Sequence, residues 1–187
     1  MKYYLKLGLI LLIFCAVASG ILAYINSLTA PVVKARKLQE EIDARNKLIP
    51  DSDFEEISVE GDKPFSYFVA YLKGTKEIQG YTFIAAETGY SSKILTMAGM
   101  DKNYKIINIT VIDQAETPGL GANCTAISFT EQYKGLGANE LAVDKDGGKK
   151  IKSLTGATIT ARAISNSLKK QIARIVADIE NRQGEQL

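Results

Sequence analysis

The chain has 187 residues, of which 46% are hydrophobic and 24% charged, and its formal net charge is +2. This length allows one modest globular domain with an appendage and excludes a large multidomain enzyme. After Val33 the basic and acidic residues are equal in number, so no excess of positive charge favours nucleic-acid binding. Histidine is absent and the two cysteines, Cys15 and Cys124, lack metal-ligand spacing, which excludes histidine catalysis, histidine-ligated zinc and iron–sulfur clusters. We therefore expect no catalytic residue and no metal site, and any redox or metal chemistry must use carboxylates or an imported organic cofactor.

The N-terminal region is uncharged from residue 7 to residue 33. Its most apolar part, residues 7–25, corresponds to roughly 28 Å of helix, which is enough to cross a bilayer. A cleaved signal peptide is the alternative, since Ala16-Val17-Ala18 resembles a cleavage site, but the apolar run continues past it. We interpret residues 1–33 as a tail and a retained membrane anchor, with the span at about 7–26.

The orientation of this anchor is not fixed by charge, because Lys2 and Lys6 on one side are balanced by Lys34, Arg36 and Lys37 on the other. A very short tail before a long soluble portion is nevertheless typical of a signal anchor. We expect a single-pass protein of the cell (inner) membrane, with its C-terminal domain on the extracytoplasmic side.

The soluble part begins with a helical pattern over residues 34–50, a predicted juxtamembrane helix that Pro50 ends. Residues 51–187 then form the predicted domain. Its β patterns are separated by glycines and a polar turn, and the short connections favour an antiparallel sheet. The predicted strands are Tyr67–Leu72, Tyr81–Ala86, Ile94–Ala98 and Ile106–Ile112.

The last long element, Ile159–Ile179, is predicted to be an amphipathic helix that closes over the sheet. Five apolar residues fall on one face of it at helical spacing: Ile164, Leu168, Ile172, Ile175 and Ile179. The fold class is therefore α+β, with a mainly antiparallel sheet and flanking helices after one transmembrane helix.

The first motif of chemical interest is Glu116-Thr117-Pro118-Gly119-Leu120-Gly121, directly after the last strand. Pro118 fixes φ near −65° and Gly119 can adopt the positive φ that a type II turn requires next. Gly121 leaves the backbone open to the close approach of a planar group. An ordinary strand-ending turn also explains this motif when it is taken alone.

The second motif, Ser153-Leu154-Thr155-Gly156-Ala157-Thr158-Ile159-Thr160, opens the terminal helix. With Thr155 as the N-cap, Thr158 is at position N3, near the unsatisfied N–H groups where a phosphate is stabilised. Simple capping is the alternative, although it leaves Gly156-Ala157 and the two further hydroxyls unexplained.

These two motifs, in this order and at this separation, resemble those of the periplasmic FMN-binding domains in the G subunit of the Rnf electron-transport complex and the C subunit of the sodium-translocating NADH:quinone reductase. The resemblance covers nearly the whole chain. The chain is more similar in length to the Rnf subunit, because the quinone reductase subunit is usually longer. The chain departs from the family pattern in two places. Lys152 stands where an acidic residue is usual, and Gly89-Tyr90-Ser91-Ser92 stands for Gly-Tyr-Gly-Gly.

The resemblance implies an FMN that is covalently joined through its phosphate to Thr158. It further implies an FMN site whose residues are Thr155, Gly156, Ala157, Thr158 and Thr160 in the second motif and Glu116, Thr117, Gly119, Leu120 and Gly121 in the first. The protein then carries electrons as a subunit of an ion-translocating ferredoxin:NAD oxidoreductase, without a complete active site of its own. The implied partners are the other membrane and peripheral subunits, a flavin transferase and the lipid bilayer, and no nucleic acid.

Three alternatives to this function stay open. The chain could be a component like the C subunit of the quinone reductase, or a stand-alone extracytoplasmic FMN electron shuttle. It could also be a membrane scaffold module without a cofactor, in which both motifs are structural.

Overall fold

The computed structural model describes residues 2–61 and 63–184. The chain divides into two compact units, of which the first ends at Glu41 and the second begins at Ile42. Helix α1, Lys2–Leu48, makes up the described part of the first unit and continues into the second. The predicted anchor and juxtamembrane helix therefore lie in one helix, which includes Pro31. It ends two residues before Pro50, because the residue that precedes a proline is disfavoured in the α conformation.

Helix α1 is long and apolar enough to cross a membrane, and no other helix among the described residues is. Among the described residues of its most apolar stretch none is buried, and large side chains such as Leu9, Phe14 and Leu22 are exposed. Uncovered apolar surface of this extent requires nonpolar surroundings. The length, composition and exposure of this helix agree with the predicted anchor.

The second unit is built on a five-stranded sheet in which the strands lie in chain order and every neighbouring pair is antiparallel. The antiparallel sheet and its four predicted strands are confirmed, because short connections place consecutive strands side by side. The strands are β1, Ser52–Val59; β2, Phe65–Leu72; β3, Ile78–Thr88; β4, Lys93–Asp101; and β5, Ile106–Asp113.

Strand β1 is the one element of the sheet that the sequence patterns did not predict. It lies at the edge of the sheet, and β2 is its one partner among the described strands. Its exposed positions include Asp53, Glu55 and Glu56, and such charges suit an edge strand, where they oppose further pairing. The same charges weaken the apolar alternation from which a strand is recognised.

Between β5 and the last helix, the chain passes through the first motif and then forms a series of short helical turns. These are α2, Ile127–Thr130, and the 3-10 turns Gly121–Thr125, Glu131–Tyr133, Ala138–Glu140 and Asp144–Asp146. Helix α3 follows over Thr158–Gly184, which confirms the predicted terminal helix and extends it at both ends.

The main core lies between α3 and one face of the sheet. All five residues of the predicted apolar face of α3 are buried, from Ile164 to Ile179, and they share one cluster with sheet residues such as Tyr67, Phe83 and Ile109. This packing holds the start of α3, and with it the second motif, in a fixed position against the sheet.

The other face of the sheet is covered in part by the end of α1. Ala44, Leu48 and Ile49 form a smaller buried cluster with Ala70 and Met97. The end of the predicted juxtamembrane helix is therefore part of the folded domain, a contact that periodicity alone does not reveal.

Candidate functional site

The first motif forms the turn that its sequence predicts. The Leu120 N–H donates a hydrogen bond of 3.1 Å to the Thr117 carbonyl oxygen, and Gly119 has φ +77°. A positive φ after Pro118 is the signature of a type II turn. The turn prediction is confirmed.

The second motif forms a similar turn directly before α3. The Ala157 N–H donates to the Leu154 carbonyl oxygen at 3.0 Å, and Gly156 has φ +73°. The expectation that Thr155 is the N-cap, with Thr158 at N3, is wrong. A residue with φ +73° cannot belong to a right-handed helix, so α3 begins after Gly156, at Thr158. Thr155 instead occupies the second position of the turn.

The two turns lie against each other. A Cβ atom built on Gly156 would lie only 3.1 Å from the Leu120 Cδ2 atom, so the second turn approaches the first closely. Together they wall a cavity of about 490 Å³, and the residues that line it are Tyr90, Glu116, Thr117, Leu120, Gly121, Gly156, Ala157, Thr158, Ile159 and Thr160.

Eight of the ten predicted site residues line this cavity. The other two, Gly119 and Thr155, line an adjoining groove of about 430 Å³, which shares Leu120 with the cavity. Residues as far apart in the sequence as Glu116 and Thr160, 44 positions, are thus brought together as the two motifs predicted. Their contact with a cofactor stays a prediction.

Two residues of the cavity, Tyr90 and Ile159, are absent from the predicted site. Tyr90 belongs to the loop between β3 and β4 and is 74% exposed, and Ile159 is 48% exposed. The signal for Tyr90 was an aromatic residue within the polar loop Gly89-Tyr90-Ser91-Ser92. Sequence spacing does not show that this loop lies against residues 116–121.

Glu116 connects this loop to the rest of the cavity. Its carboxylate accepts five hydrogen bonds, although its exposed fraction is only 5%. Oε1 accepts from the Ser91 and Ser92 N–H groups, both at 2.9 Å, and from the Ser92 hydroxyl at 3.2 Å. Oε2 accepts from the Tyr90 N–H at 3.2 Å and from the Thr160 hydroxyl at 2.6 Å.

The carboxyl group of Glu116 is ionised at neutral pH. Burial by itself raises its pKa, but the hydrogen bonds from Thr160 and from the N–H groups of residues 90–92 outweigh burial and lower the pKa to about 2. Its negative charge acts on a neighbouring group, since burial and then the Glu116 charge raise the pKa of Cys124 to about 11. Cys124 is therefore a buried neutral thiol.

The three threonines of the second motif have different surroundings. Thr155 is exposed and lies on the adjoining groove. Thr160 is fully buried, and its hydroxyl proton is donated to Glu116. Thr158 is half-buried at the cavity wall, and its hydroxyl makes no hydrogen bond to any described residue. Of the three, Thr158 is the one whose hydroxyl is both free and at the cavity.

The first turn can be tested with two matched glycine substitutions. A Cβ atom added at Gly119 or at Gly137 would meet open space, but Gly137 has φ −93°. Gly119→Ala should therefore lower the free energy of unfolding by about 1–2 kcal/mol, because an L-residue is strained at positive φ. Gly137→Ala should leave it unchanged or raise it slightly. Urea unfolding followed by circular dichroism measures both, and equal effects of the two substitutions would contradict the turn.

The Glu116 contacts predict a specific pH dependence of stability. The folded-state pKa lies below the unfolded value of 4.5, so the ionised carboxylate stabilises the fold fully above that pH. This contribution is lost as the pH falls towards 2. The difference in unfolding free energy between the wild type and Glu116→Gln should therefore shrink as urea unfolding is repeated from pH 7 down to pH 3. A difference that is independent of pH would contradict the assigned ionisation.

Two segments of the chain match known protein families. Residues 89–173 match the FMN-binding domain family, and residues 2–48 match the RnfG N-terminal region. Both turns of the candidate cavity, and the loop that carries Tyr90, lie within the first of these matches.

Relatives are similar over nearly their whole length. The chain is 32% identical, over 91% of each protein, to the G subunit of the Na(+)-translocating ferredoxin:NAD(+) oxidoreductase complex of Acetobacterium woodii. It is also 32% identical, over 88% of each protein, to the G subunit of the proton-translocating complex of Clostridium ljungdahlii. A crystal structure of the C subunit of the Na(+)-translocating NADH-quinone reductase from Parabacteroides distasonis has a similar fold, with a TM-score of 0.53 and 22% identity over 71% of this chain and 78% of that one. The chain belongs to the family of G subunits of ion-translocating ferredoxin:NAD(+) oxidoreductase complexes.

Proposed function

We propose that this chain carries electrons through an FMN covalently attached at Thr158, as the membrane-anchored flavoprotein subunit of an ion-translocating ferredoxin:NAD oxidoreductase complex. The observation that carries the proposal is the free hydroxyl of Thr158 at the wall of the cavity, inside the segment that matches the FMN-binding domain family. One of these relatives is named for sodium translocation and the other for proton translocation.

The surroundings of Thr158 suit a phosphate. Thr158 is the first residue of α3, where backbone N–H groups have no partner within the helix and the helix dipole favours negative charge. The Ala161 N–H is the first in this helix that donates to a carbonyl oxygen one turn earlier, that of Ala157. The N–H groups of residues 158–160 are therefore available to a phosphate, which gains about 0.3–2 kcal/mol from the dipole alone.

The rest of the cavity suits a planar, partly apolar group. Leu120, Ile159 and Tyr90 supply apolar and aromatic surface, whereas Gly121 and Gly156 add no side chain. A bound flavin supplies the electron chemistry, and the residues of this chain hold and surround it. Thr160 acts indirectly, because its hydroxyl proton is already donated to Glu116.

The N-terminal segment favours a subunit of a membrane complex over a stand-alone shuttle. Residues 2–48 match the RnfG N-terminal region, which includes the apolar part of α1. The likeness to the C subunit of the quinone reductase supports a common fold at 22% identity. We therefore propose the other subunits of the complex, the bilayer and a flavin transferase as partners, and we propose the extracytoplasmic side for the domain.

The attachment residue can be tested by substitution and peptide mass spectrometry. Thr158→Ala should abolish covalent flavin, because it removes the free hydroxyl at the cavity. Thr158→Ser should retain some flavin, and Thr155→Ala should retain it because Thr155 faces the adjoining groove. Flavin is measured by fluorescence of the denatured protein after expression in a host that flavinylates its own proteins. An FMN adduct on Thr155 or Thr160, or none on any threonine of the wild type, would refute the assignment.

The sidedness of the domain can be tested by cysteine labelling, because both native cysteines should react poorly. Cys15 lies in the apolar part of α1, and Cys124 is fully buried. Asn103→Cys, in the exposed turn between β4 and β5, should react with a membrane-impermeant maleimide in intact spheroplasts. The matched variant Lys2→Cys should react only after permeabilisation. The reverse pattern would overturn the proposed orientation.

A further inference from the structure

Glu116 joins the three chain segments that form the cavity. The loop 89–92 comes from the β3–β4 hairpin, the turn 117–120 follows β5, and Thr160 belongs to the first turn of α3. The five hydrogen bonds of the carboxylate run to the loop and to Thr160, while its own backbone leads into the turn. One side chain thus fixes the relative position of all three walls.

Two glycines, which have no side chain, make room for this carboxylate. A Cβ atom on Gly89 would lie 2.8 Å from Glu116 Oε1, and a Cβ atom on Gly121 would lie 2.8 Å from Oε2. A Cβ atom does not come this close to a neighbouring atom without a shift in the structure. The absence of a side chain at these two positions therefore makes room for the Glu116 carboxylate, together with Ile94 beside Gly89 and Thr160 beside Gly121.

All five partners of the carboxylate are neutral donors. Among the described residues, no Lys or Arg side chain forms an ion pair with Glu116, and the groups that lower its pKa are the Thr160 hydroxyl and backbone N–H groups. Hydrogen bonds from neutral donors stabilise a negative charge without cancelling it. The wall of the cavity consequently carries one net negative charge.

We propose that Glu116 is a positioning residue that also sets the reduction potential of the bound flavin, by holding a fixed negative charge at the cavity wall. This inference rests on the proposed function. Reduction of an oxidised flavin adds two electrons with one or two protons, and with one proton the reduced ring carries a negative charge. A fixed like charge nearby disfavours that anion, so it lowers the reduction potential and favours uptake of the second proton.

The arrangement requires a carboxylate rather than any polar group. An ionised carboxylate only accepts hydrogen bonds, which matches five converging donors. The amide of Gln would turn an NH2 group towards some of these N–H and O–H donors. If Glu116 only joined the three walls, the reduction potential of the flavin would not depend on the sign of its charge. Measuring the potential therefore separates a positioning role from an electrostatic one.

The experiment uses the full-length flavinylated protein in detergent, titrated with dithionite and mediator dyes between pH 6 and pH 9. Glu116→Gln removes the charge and should raise the midpoint potential of the flavin. Thr160→Val removes one hydrogen-bond donor of Glu116 and keeps the negative charge. Because fewer donors then offset this charge, its effect on the flavin should increase and the midpoint potential should fall. Thr160→Ser restores the hydroxyl and should restore the wild-type potential.

Opposite shifts for Glu116→Gln and Thr160→Val support the proposal. Potential shifts in the same direction for both variants would overturn it, because a loosened cavity that admits water would act alike in both. An unchanged potential in Glu116→Gln would also overturn it. If Glu116→Gln does not fold, the Thr160 pair decides alone, and equal potentials for the Val and Ser variants overturn the proposal. Flavin content of each denatured variant is measured first. A wild type without covalent flavin refutes the proposed function, whereas normal flavin content with unmoved potentials refutes only this inference.

Discussion

The buried carboxylate of Glu116 has lost most of its water, and the candidate site depends on how that loss is offset. Removing an ionised carboxylate from water costs several kcal/mol even after the protein relaxes. A hydrogen bond to a charged group returns about 1.5–3 kcal/mol, so one donor is too few and the five observed here are enough. All five donors belong to other chain segments. The ionised side chain and the assembled cavity therefore form together.

The sheet determines where those segments meet. The loop 89–92 of the β3–β4 hairpin lies at the same end of the sheet as Glu116, because β4 begins beside the point where its antiparallel neighbour β5 ends. Helix α3 is fixed by its buried face, from Ile164 to Ile179, which places Thr160 opposite Oε2. The core thus holds the polar contacts in register, and the loops need little stability of their own.

Local patterns predicted most of this fold, and contacts between distant residues explain what they missed. Alternation and short connections identified β2 to β5, and helical spacing identified the face of α3. The charged edge strand β1 lacks a clear alternation, since Glu55 and Glu56 are adjacent. Eight of the ten predicted site residues lie at the cavity. Thr155 was wrongly assigned as a cap, because the positive φ of Gly156 is not visible in the sequence. Tyr90 was missed because its link to Glu116 spans 26 positions.

The proposed covalent attachment at Thr158 would change what the cavity has to do. A phosphoester bond prevents dissociation, so the walls of the cavity do not need to supply affinity for the flavin. Interactions that bind the oxidised and reduced forms equally have no effect on the potential. Only interactions that differ between the two forms change it, just as only interactions that differ between ground state and transition state change a reaction rate. A fixed charge is such an interaction, because it acts on the form that gains charge. The position of Glu116, at the wall but hydrogen-bonded away from solvent, keeps that charge constant across physiological pH.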